Sequence, residues 1–109
     1  MENKKLLFSH FIYPDINGNL KVFSNSKYGF SSHFEWMEKL KVNISFVGHA
    51  HISGVGIVSK KGSKINKFGR YSLNTEPQVI LCPSLGKGKH KNGFVLFDSK
   101  SLSIEALAL

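Results

Sequence analysis

Apolar residues along this chain gather in short runs that end on polar or turn-forming residues. Lys5-Leu-Leu-Phe-Ser9 reads as a buried strand closed by His10. Asn43-Ile-Ser-Phe-Val47 reads as a second strand and runs straight into Gly48-His-Ala-His51. Between them the period changes. Ser31 or Ser32 can cap a helix through about Lys41, and Glu35, three residues after Ser32, completes a capping box. Phe34, Met37, Leu40 and Lys41 fall on one face of that helix, with Trp36 at its edge. His33, at the helix start, reads as an exposed polar residue.

The second half reads as strands alone. Gly54–Ser59 and Lys64–Tyr71 form a hairpin around Lys60-Lys-Gly-Ser63, and Gln78–Cys82 is a buried strand stopped by Pro83. Gly93–Asp98 and Leu102–Leu107 form a terminal hairpin turning at Ser99-Lys-Ser101. Tyr13–Gly18 reads as an irregular loop. The prediction is an α/β domain, or α+β, with one mixed sheet and one main helix. Strand–helix–strand order predicts that ligands gather at the C-terminal edge of the sheet.

Composition narrows the class. The 109 residues allow one domain, and 41% hydrophobic with 12% aromatic content excludes a disordered chain. No apolar run approaches the roughly 20 residues of a spanning helix, and no signal peptide opens the sequence. A single cysteine, Cys82, fits a reduced, cytoplasmic protein and reads as a core residue. The net charge of +8 lies in two clusters, Lys60 to Arg70 and Lys87 to Lys91, both among loop formers. Such clusters bind phosphate backbones, but lysine dominates where specific readers favour arginine. A solvated basic surface that draws in anionic ligands is the simpler reading.

The chemistry concentrates in three histidines. His49 and His51 are separated by one residue after a strand and a glycine, and residues i and i+2 of an extended segment project to one side. Gly48 lets the backbone turn away from the strand, and Ala50 stays small between the imidazoles. His10 closes another strand and is predicted to meet them at the same sheet edge. Neutral imidazoles in such a group suit borderline divalent metals.

Leu6–His10 followed by Asn43–His51 resembles the last two motifs of the calcineurin-like metallophosphoesterases, a lone His after a strand and Gly-His-x-His. Ile80-Leu-Cys-Pro-Ser-Leu-Gly86 is similar to the Asn-Pro-Gly-Ser-Val-Gly stretch of the small bacterial and archaeal phosphodiesterases of that superfamily, and Gly93–Asp98 to their closing strand. The resemblance implies half of a β-sandwich flanked by helices, with residues 1–109 as one partial domain. It implies His10 and His49 as ligands of one ion and His51 of a second, with manganese, iron or zinc as the metals. It implies hydrolysis of phosphate mono- or diesters. Ser84 and His90 are candidate substrate contacts, and His90, between Lys89 and Lys91, also reads as a solvated loop residue.

The family's first three motifs, with the bridging carboxylate, do not occur, and Asp15 and Asp98 are the only aspartates. The chain alone is therefore predicted to be non-catalytic, completed by an N-terminal half or paired with a second copy. The alternative is a small basic module for nucleic acid or protein, with structural histidines. Its apolar strands exceed what one helix can cover, so an exposed apolar face is predicted.

Overall fold

A computed structural model describes residues 5–9, 28–52, 54–83 and 92–109. The elements are β1 (Leu6–Ser9), α1 (Tyr28–Leu40), β2 (Ile44–Ile52), β3 (Val55–Ser59), β4 (Gly62–Asn66), β5 (Gly69–Ser72), β6 (Gln78–Pro83), β7 (Gly93–Asp98) and β8 (Ser103–Ala108). They form a mixed α/β structure with two sheets, of strand order β1-β2-β6-β3-β4 and β5-β8-β7. The single mixed sheet predicted from the sequence is corrected here. Lys64–Tyr71 is not one strand: it breaks at Lys67-Phe68, where the chain leaves the first sheet (as β4) and enters the second (as β5). The Tyr71 hydroxyl donates to the Lys67 carbonyl at 2.6 Å across this break.

In the larger sheet β1, β2 and β6 are parallel, while β3 runs antiparallel to β6 and β4 to β3. Alternation along each strand sends residues to two different layers. On one face Val47, Val58, Val79 and Leu81 pack with Phe30, Phe34 and Met37 of α1. On the other, Ile44, Phe46, Val55 and Ile80 pack with Leu73, Ile104 and Ala106. The second sheet thus covers the face that the sequence left open. Among the described residues the large apolar side chains still exposed are Phe8, Leu40, Leu96 and Leu109.

The helix begins three residues before Ser31, so neither serine caps it. Burial decides the start: Phe30 joins Phe34 and Met37 at the i, i+4, i+7 spacing, whereas Leu40 and Lys41 are exposed. At the other end Lys41 takes a left-handed conformation (φ 57°). Lys41 N donates to the Glu38 carbonyl and Val42 N to the Met37 carbonyl, and Val42 packs in the same cluster as Met37. This is a Schellman ending built on lysine where glycine is usual. No helix among the described residues is long and apolar enough to cross a membrane.

Candidate functional site

Parallel pairing sets the geometry of the site. Leu6 to Ser9 pair with Ile44 to Val47 without slippage, and Ile44 to Val47 pair with Gln78 to Leu81. The C-terminal ends of β1, β2 and β6 therefore lie together on one edge. His10, the residue after Ser9, lies outside the described residues, as do Ser84, His90 and the Tyr13–Gly18 loop. His49, Ala50 and His51 are described by their backbone alone.

That backbone corrects one expectation. The Gly-His-Ala-His segment does not follow the end of its strand; β2 continues through it to Ile52. The continuation is irregular. Val47 pairs with Leu81 and Ile52 with Pro83, so five steps along β2 match two along β6. Gly48 to His51 thus occupy a bulge, the kind of irregularity that re-aims side chains at sheet edges.

Beside the bulge lies an open pocket of about 390 Å³, lined by Phe8, Ser9, Phe46, Val47, Gly48 and Cys82. Phe8 and Phe46 stack with centroids 5.2 Å apart and planes 13° from parallel. Phe97, from the second sheet, meets Phe46 edge-on at 5.5 Å. Ser9 Oγ is sealed from solvent and finds no hydrogen-bond partner among the described residues. Burial pushes the Cys82 thiol up to about 11, which keeps it protonated at neutral pH and unfit as a nucleophile. Among the described residues no group of three His, Cys, Asp or Glu side chains is arranged to hold a metal ion.

Comparison with family models, with curated proteins and with solved structures finds no match for this chain.

One histidine changes character. His33 is not an exposed residue at the helix start: it is fully buried between α1 and the sheet. Its Nε2 shares a hydrogen bond of 2.8 Å with Ser45 Oγ, and its ring meets Trp36 edge-on at 5.6 Å. Desolvation lowers its pKa from 6.5 to about 4, so it is neutral at physiological pH. A signal existed in the sequence: His33 stands between Phe30 and Met37 on the apolar stripe. The first basic cluster does fall at a hairpin, with Lys60 and Lys61 exposed in the β3–β4 turn and Lys64, Lys67 and Arg70 exposed after it.

Proposed function

We propose that this chain is the C-terminal part of a metal-dependent phosphoesterase, contributing the late histidine ligands of its metal site. The observation that carries the reading is the common edge of β1, β2 and β6. The chain leaves β1 toward His10 at the edge where β2 bulges through His49 and His51.

The donor chemistry fits one ion better than two. Three imidazoles suit a single borderline divalent ion, and Ser9 Oγ, without a partner among the described residues, marks a polar point at the same edge. A pair of ions needs a bridging carboxylate; Asp15 lies outside the described residues, and Asp98 is engaged elsewhere. It lies at the end of β7 in the second sheet, where its Oδ1 accepts from the Lys100 and Ser101 backbone N–H groups. His10, His49 and His51 would hold the ion, and the ion would supply Lewis-acid polarisation of a phosphoryl oxygen. Gly48 keeps the approach to the bulge free of a side chain. The +8 charge raises the local concentration of anionic esters. The family's carboxylate-bearing motifs do not occur in this sequence, so this chain by itself turns nothing over.

Equilibrium dialysis with Mn or Zn tests the reading. The expected result is one ion per chain, with binding lost in the His49→Ala/His51→Ala variant. Equal uptake by the two proteins would overturn it.

A further inference from the structure

We infer that β4 is a docking edge for an acidic, extended segment of another polypeptide, which adds to the five-stranded sheet as a sixth strand. The inference stands apart from the metal reading, because β4 closes the sheet at the end opposite β1.

Two features coincide on β4. It pairs with β3 on one side and with no strand among the described residues on the other, so a row of backbone N–H and C=O groups faces outward. Exposed lysines line the same strand from end to end. Lys60 and Lys61 form the turn before it, where Lys61 N donates to Ser59 Oγ at 3.2 Å. Lys64 is at its centre, and Lys67 lies just beyond Asn66. Lys61 to Lys67 spans about 20 Å of strand. No carboxylate offsets them nearby in sequence: between Glu38 and Glu76 the chain carries seven basic residues and neither Asp nor Glu. Arg70 does not belong to the row, since it lies in β5 and shares a small pocket with Asp98 and Glu105.

Charge and hydrogen bonding together choose the occupant. A second copy of β4 would set lysine against lysine, which opposes pairing. A nucleic acid offers phosphate oxygens to the N–H groups but no regular row of donors to the carbonyls. An acidic peptide in extended conformation answers both, its backbone completing the ladder and its carboxylates meeting the lysines. Alternation fixes where the charge belongs. Lys64 pairs with Ile57, which packs against the cluster between the two sheets, so a carboxylate directly opposite Lys64 lies on that same side.

Fluorescence anisotropy with the full chain compares three labelled probes of equal charge: a peptide of alternating glutamate and valine, one of alternating glutamate and proline, and a short single-stranded DNA. Proline cannot donate to a strand ladder, so the second probe keeps the charge and loses the edge. The glutamate–valine peptide should bind about tenfold tighter than either control. Lys64→Glu should weaken it about tenfold, through one cross-strand attraction lost and one repulsion gained. Lys64 is exposed, so the thermal melt of that variant should match the parent's. Amide hydrogen exchange in Gly62–Asn66 should slow in the complex. Equal binding of the proline peptide would leave a charged surface without strand addition, and equal or tighter binding of the DNA would make it a nucleic-acid surface; either overturns the proposal. So would a glutamate–valine affinity that Lys64→Glu leaves unchanged, or no binding of that peptide at millimolar concentration.

Discussion

The two faces of the five-stranded sheet are built on different rules. The face toward the second sheet is filled by Ile44, Phe46, Val55 and Ile80 against Leu73, Ile104 and Ala106. The face toward α1 is equally apolar at Val47, Val58, Val79 and Leu81, but His33 and Ser45 are bonded to one another within it. Two other buried polar residues, Gln78 and Ser103, bond locally: Gln78 Oε1 accepts from Asn74 N, and the Ser103 hydroxyl bonds that of Ser101. The His33–Ser45 bond instead joins helix to strand. Apolar contacts tolerate small slides, whereas a buried hydrogen bond does not, so this bond fixes how α1 sits on β2. Among the described residues one face is filled by apolar volume, and the other joins apolar volume to the directional His33–Ser45 bond.

Volume sets the largest effect. Ile80 is fully buried at the centre of the sandwich face, and Ile80→Ala should cost about 2–5 kcal/mol, read as a lower urea midpoint. The loss should be the same at pH 7 and pH 5, because no titrating group is involved. A cost below about 1 kcal/mol would mean that the two sheets can close over the missing methyls.

Acid separates the faces. His33 has a folded pKa of about 4 against 6.5, so the folded state disfavours its protonation. Stability from neutral, buried His33 is full above about pH 6.5 and is lost as pH falls toward 4. The span corresponds to roughly 3 kcal/mol at most. Urea unfolding across that window should show the slope, and His33→Leu/Ser45→Ala should flatten it. That double variant should also lie close to the parent at pH 7. Ser45→Ala alone should lose about 1–3 kcal/mol by taking the hydroxyl away from His33 Nε2. An unchanged pH slope in the double variant would assign the acid sensitivity elsewhere.

Much of this arrangement was legible from apolar runs. Strands β1, β3, β6, β7 and β8, the start of β2 and the presence of α1 fall where the pattern puts them, because short runs bounded by Gly, Pro and polar residues have few other solutions. Sheet membership was not legible. Alternation in Lys64–Tyr71 says which side chains point inward, but the break at Lys67-Phe68 depends on what each half pairs with. The helix start failed for a related reason, since capping is local and the burial of Phe30 is not. At the candidate site, the shared edge of β1 and β2 was readable from two apolar runs, whereas the place of β6 and the bulge at Gly48–His51 were not. The bulge is a mismatch with β6, and one strand's sequence does not encode its neighbour's register.

The smallest effect compares two residues with left-handed backbones, one in each layer. Lys41 (φ 57°) ends α1, and Leu102 (φ 49°) ends the β7–β8 turn. A side chain in this conformation costs about 1 kcal/mol, which glycine avoids. Lys41 is exposed, so Lys41→Gly gives up little contact and keeps the Schellman bonds, which use only backbone atoms. Glycine's greater unfolded-state freedom offsets part of the gain, leaving about 0.5 kcal/mol of stabilisation. Leu102 is half-buried and packs against the sandwich core, and its carbonyl accepts from Leu73 N at 2.7 Å. Removing that side chain forfeits about 1–2 kcal/mol of burial, so Leu102→Gly should destabilise despite the same relief of strain. Thermal melts of the two variants should therefore move in opposite directions. A rise in both would show that Leu102 contributes backbone geometry and no packing.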